Sequence, residues 1–188
     1  MVPWPFYIIS STRGRSIYLK LMESLLFELI CRILQRNPSL LAIAISQQAK
    51  FEGWLKFELA NELHRSNHSV RVEELVHGHL VDLCVDNGSL IELKTPNTSY
   101  KVGDNKPKTR PITKNVQDII DDIQKLRDNR DGFKNGYIAF VMFPIGNNDR
   151  YRIHINKIQK SLGSSPVTYQ GLEVIAGFNT YVFVAKVF

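Results

Sequence analysis

Apolar positions along the chain switch between helical spacing and strand-like alternation. Over residues 14–36, Ser16, Lys20, Glu23, Ser24 and Gln35 gather on one side of a helical projection. The remainder carries Leu25, Leu26, Phe27, Leu29, Ile30, Ile33 and Leu34, so a long, unusually apolar helix is predicted, ended by Asn37-Pro38. A second helix is predicted over 47–65, with Leu55, Leu59 and Leu63 as its stripe and Phe51 beside them. Period-two runs then predict strands at 70–74, 80–85 and 89–95, with His77-Gly78 turning the first into the second. After a polar stretch at 96–114, a helix is predicted over 115–128, with Val116, Ile119, Ile120, Ile123 and Leu126 on one face. A strongly apolar strand follows at 136–144, and shorter strands at 151–155, 171–176 and 180–187. Pro3 and Pro5 argue against an N-terminal helix, and Phe6–Ile9 reads as a short edge strand. Neither a repeat nor a domain boundary interrupts the pattern, which predicts one α/β domain over 1–188.

Charge breaks this pattern at one hairpin. The stretch Val81–Lys94 carries Asp82, Glu92 and Lys94 inside two runs that are otherwise apolar, and such residues are rarely buried unless paired or metal-bound. Asn87-Gly88 marks the turn. A two-residue loop would pair Asp86 with Ser89 and send Asp82 and Glu92 to opposite faces. A three-residue loop, Asp86-Asn87-Gly88 with Gly88 left-handed, pairs Val85 with Ser89 instead. Asp82 then lies opposite Glu92 and Leu80 opposite Lys94, so the three charges share one face. The other face reads Val81, Leu83, Val85, Ile91 and Leu93. The second register is expected because it segregates the charges from the apolar set. Two carboxylates beside a lysine suit a divalent cation acting on a phosphodiester.

Asp82, a short hairpin, and Ile91-Glu92-Leu93-Lys94 resemble the motif of the PD-(D/E)XK nuclease superfamily, which includes restriction endonucleases and Holliday junction resolvases. Val81 stands where the motif name has proline. The predicted order of helix, three strands, helix and strand resembles that superfamily's core over about 47–143. The resemblance implies a restriction-endonuclease-like core: a central mixed β-sheet flanked by helices, with N-terminal helical and C-terminal β elaborations. It implies Mg²⁺ (or Mn²⁺) held by Asp82, Glu92 and the Leu93 carbonyl, with water attacking the phosphodiester and Lys94 positioning or helping to deprotonate that water and offsetting charge on the phosphate. It also implies a glutamate from the preceding helix. Glu52 is favoured, because it shares the stripe of Leu55, Leu59 and Leu63; Glu58 is next, and Glu62 lies near the stripe.

Other candidates surround the motif. His77 and His79 flank the hairpin, and His79 is a candidate phosphate contact against a default of an exposed turn histidine. The stretch at 96–114 holds Lys101, Lys106, Lys108, Arg110 and Lys114, suited to backbone phosphates, with a solvated loop as the bland reading. Gln117 and Lys125 are minor candidates on the next helix.

Bulk properties move the reading less. A net charge of +6 and a pI of about 9.3 favour an anionic partner. The two cysteines, Cys31 and Cys84, form no Cys-X-X-Cys pair; they read as small buried hydrophobes in a cytoplasmic protein. No secretory pattern is present, and the apolar run at 21–34 is too short and too charged to span a bilayer. The expectation is a Mg²⁺-dependent DNA endonuclease, the residues not separating DNA from RNA. The alternatives are a catalytically silent nucleic-acid-binding relative, and an interaction module or homodimer docking through the apolar first helix.

Overall fold

The computed structural model describes residues 22–98, 112–145, 151–163, 167–175 and 178–188. Its elements run α1 (Met22–Arg36), α2 (Pro38–Gln47), α3 (Glu52–Arg65), β1 (Val70–Val76), β2 (His79–Val85), β3 (Ser89–Lys94), α4 (Ile112–Asp128), β4 (Asn135–Ile145), α5 (Arg152–Leu162), β5 (Val167–Ile175) and β6 (Phe178–Lys186). The six strands form one mixed sheet in the order β1-β2-β3-β4-β6-β5. Among the described strands β3 and β4 alone pair in parallel, and α4 lies in the crossover between them.

Helices cover both faces, because the central strands are apolar on both sides. Along β4, Tyr137, Ala139, Val141 and Phe143 enter the core shared with α1 and α3, while Ile138, Phe140 and Met142 enter the core shared with α4 and α5. The apolar stripe of α1 is spent within the fold: Leu26 and Ile30 are fully buried. No described helix is long and apolar enough to cross a membrane.

The β2–β3 hairpin has the three-residue loop, with Val85↔Ser89, Cys84↔Leu90 and Leu83↔Ile91 as partners. The left-handed residues are Asp86 (φ 51°) and Asn87 (φ 52°), not Gly88. Asp and Asn tolerate that region, and Asp86 is further anchored by the Ser69 N–H at 2.9 Å and His68 Nδ1 at 2.7 Å. The His68 hydrogen bond, helped by the Ser69 N–H, holds the Asp86 carboxyl below its ordinary range against the opposing effect of burial.

Several expectations shift. Leu83, Val85, Ile91 and Leu93 do line the α1/α3 core, but Val81 packs into the α4/α5 core. The switch coincides with a break in the β1–β2 ladder, where Glu73 takes φ 56° and the partners pass from Val72↔Leu83 to Glu74↔Val81. Residues 151–155 begin helix α5 rather than forming a strand. Tyr151, Ile155, Ile158 and Leu162 recur at helical spacing and are buried, whereas Ile153 is exposed. The helix expected from residue 47 starts at Glu52, since Pro38 opens a separate helix that ends at Gln48 in the left-handed region. Residues 6–9 and 14–21 of the expected N-terminal elements lie outside the described residues.

Candidate active site

The site gathers at the C-terminal end of β3, where its parallel pairing with β4 sends the chain into the crossover. Asp82 on β2 accepts the Leu93 N–H through Oδ2 at 2.8 Å. Through Oδ1 it accepts Lys56 Nζ of α3 at 3.0 Å. Glu92, next on β3, is 7% exposed. Burial, then the charge of Asp82, pushes its carboxyl up to about 9 against the pull of Lys94, so the neutral acid shares its proton with Asp82.

Lys94 is anchored from both layers. Its Nζ lies 3.0 Å from Asp122 Oδ2 on α4 and 3.7 Å from Glu52 Oε1 on α3, and donates to the Leu93 carbonyl at 3.2 Å. Burial works against its charge, but Glu52 and Asp122 outweigh it and hold Lys94 firmly protonated. Glu52 also accepts the Thr95 N–H through Oε2 at 3.2 Å, which ties the start of α3 to the end of β3. Lys125 donates to Asp122 Oδ1 at 2.9 Å, and that bond raises its proton affinity.

Of the residues singled out from the sequence, Asp82, Glu92, Lys94 and Glu52 meet here. Glu58 is partly exposed on another side of α3. Glu62 is bound up with Arg32, Arg36 and Arg65, bracing α1 against α3. Exposed His79 edges a cavity of about 110 Å³ that is also lined by Val81, Glu92, Lys125 and Asn129. His77 turns away, with Nε2 3.0 Å from the Asp131 carbonyl. Lys114 and Gln117 are exposed on α4, the latter bonded to Asp121. Lys101, Lys106, Lys108 and Arg110 lie outside the described residues.

Lys56, Glu73 and Asp122 are members that pattern reading passed over. Lys56 Nζ also donates to Glu73 Oε1 at 2.7 Å. Burial works against the charge on Lys56, but the bonds to Glu73 and Asp82 prevail and raise its proton affinity.

The connected cluster therefore holds the carboxyl groups of Glu52, Glu73, Asp82, Glu92 and Asp122 against the ammonium groups of Lys56, Lys94 and Lys125. With every group ionised it carries two negative charges in excess. Among the described residues, no three His, Cys, Asp or Glu side chains form a preformed metal cage. Two touching carboxyl groups nonetheless fit Mg²⁺, which takes one or two carboxylates and completes its shell with water and phosphate. The Leu93 carbonyl retains a second lone pair beside its bond to Lys94.

No protein-family model matches the chain, and no curated protein or solved structure matches it significantly.

Proposed function

We propose that the chain is a Mg²⁺- or Mn²⁺-dependent endonuclease of the PD-(D/E)XK type, hydrolysing phosphodiester bonds of DNA. The observation that carries the reading is the Asp82–Glu92 carboxyl contact, with buried Glu92 holding a proton up to about pH 9. Two acids forced together in a desolvated site, inside a cluster whose full ionisation leaves two negative charges in excess, answer to a dication that replaces the proton. The succession α3-β1-β2-β3-α4-β4, with the acids on β2 and β3, supports a restriction-endonuclease-like core.

In this reading Asp82, Glu92 and the Leu93 carbonyl hold the cation. Bound there, it supplies Lewis acidity toward the phosphoryl oxygen and a lowered water pKa. Lys94 stays charged between Glu52 and Asp122, so it orients the attacking water or offsets negative charge on the phosphate rather than acting as a base. His79 and Lys125, on the edge of the cavity beside Glu92, are suited to contact the phosphate. The basic residues Lys101, Lys106, Lys108, Arg110 and Lys114 are proposed backbone contacts.

One observation favours a second reading, a nucleic-acid-binding relative that does not cut: both Asp82 oxygens already accept bonds from protein groups. A substrate panel separates the two. Wild type and Asp82→Asn are incubated with Mg²⁺ and supercoiled DNA, linear DNA or RNA. Cleavage of DNA by wild type alone supports the nuclease. Salt-sensitive binding by both, with no cleavage by either, supports the silent relative.

A further inference from the structure

Lys56 takes no part in the cleavage chemistry outlined above, yet it is built into the carboxylate pair. It lies one helical turn after Glu52 on α3, with its side chain 10% exposed. A buried ammonium requires a partner, and Asp82 alone would meet that need. Lys56 has two, Glu73 Oε1 at 2.7 Å and Asp82 Oδ1 at 3.0 Å. Glu73 reaches it from within a strand at φ 56°, a conformation that a residue with a side chain rarely adopts there. At that point the recorded β1–β2 partners pass over Glu73 and Asp82 together. The sheet is thus irregular at the residue that anchors Lys56 and at the residue that Lys56 holds. Meanwhile Asp82 Oδ2 accepts the Leu93 N–H at 2.8 Å, so the carboxylate is fixed at both oxygens and turned toward Glu92.

We infer that Lys56 is a positioning residue for the cation site, fixing Asp82 in the orientation in which it binds metal, with Glu73 as the anchor of Lys56. The inference rests on the reading of Asp82 and Glu92 as cation ligands. It carries its own signature because charge and orientation act in opposite directions. An ammonium beside a dication repels it, so simple removal of that charge tightens metal binding. Loss of a positioning residue weakens it.

The test is calorimetric titration of Mn²⁺ into wild type, Lys56→Met and Lys56→Arg, each checked for folding by thermal unfolding. Lys56→Met is expected to weaken Mn²⁺ binding by roughly 10–100-fold, the usual scale for groups that orient a ligand. Lys56→Arg, which keeps the positive charge but displaces the donor to Asp82, is expected to weaken it several-fold with no change in charge, and it carries the test should Lys56→Met fail to fold. Wild-type affinity in the folded variants overturns the inference and leaves Lys56 a structural ion pair. Tighter binding also overturns it, making Lys56 a cation that competes for the site. Wild-type protein that binds no Mn²⁺ overturns both this inference and the cation site it rests on.

Discussion

Asp82 takes the Leu93 backbone N–H through Oδ2 at 2.8 Å. The recorded β2–β3 partners stop at Leu83↔Ile91, so a side chain of β2 receives a donor that a continued ladder would give to its backbone. This one bond joins the fold to the site: it closes the hairpin and fixes an acid one residue away from Glu92.

That bond motivates a pair of substitutions. Asp82→Asn is nearly isosteric, and its amide oxygen can still accept from Leu93, so the fold is expected to persist. A neutral amide is a poor ligand for a hard cation, so Mg²⁺ binding and cleavage are both expected to disappear. Lys94→Ala is expected to keep Mn²⁺ affinity within a few-fold and to lose cleavage by about 100-fold or more. Calorimetry and cleavage rates measured on the same preparations check both. Equal loss of metal in the two variants would contradict the division of roles.

Glu92 sets a pH dependence. Its folded-state value of about 9 exceeds the ordinary 4.5, so between these values the folded chain binds more protons than the unfolded one. That contribution to stability is fully present below about 4.5 and is lost as pH rises toward 9. Mg²⁺ or Mn²⁺ takes the place of the proton, so the rise in Tm on adding metal is expected to grow from pH 6 to pH 9. Metal binding near neutral pH is also expected to release protons, read as a buffer-dependent calorimetric enthalpy. Glu92→Gln is expected to flatten the metal-free profile. A metal-induced Tm shift that is equal at both ends of that range would count against the shared site.

Packing supplies a test independent of function. Gly136 on β4 donates its N–H to the Phe188 carbonyl at 3.2 Å, and its carbonyl accepts the Val187 N–H at 2.7 Å. A Cβ at Gly136 would run into the Phe188 ring. Gly136→Ala is therefore expected to lower stability by about 1–3 kcal/mol, in the range of overpacking, by displacing the end of the chain. Truncation before Val187 should remove most of the difference between Gly and Ala, as measured by denaturant unfolding.

The basic residues beyond β3 lead to a binding prediction. Replacing Lys106, Lys108 and Arg110 with Ala is expected to weaken DNA binding whatever the sequence. It should also flatten the dependence of log K on log salt by about one unit per lost phosphate contact. An unchanged slope in fluorescence anisotropy would make these residues bystanders.

The loop of the hairpin was legible because its length sets the pairing from Val85↔Ser89 to Leu83↔Ile91, and only the three-residue loop separates Asp82, Glu92 and Lys94 from the apolar set along the chain. Glu52 was legible because an acid on an apolar stripe calls for a partner. Lys56 and Asp122 carried the same signal. Lys56 follows Leu55 and lies four residues after Glu52, and Asp122 lies between Ile119 and Leu126 on the inward face of α4. Their partners come from other elements and far along the chain, so no local pattern assigns them. The turn of Val81 into the other core was illegible, since it coincides with a break in the pairing to a neighbouring strand, where Glu73 is left-handed, and nothing within β2 marks it. Helix α5 was missed because Tyr151, Ile153 and Ile155 alternate like a strand over five residues. Its helical period emerges only when Ile158 and Leu162 are included.

The most direct test of the central claim is plasmid nicking under titration with Mg²⁺ and Mn²⁺. The account predicts no cleavage in chelator, saturable nicking as either cation is added, and none at any concentration with Asp82→Asn. Wild-type protein that binds neither cation and leaves every DNA and RNA substrate intact would contradict it.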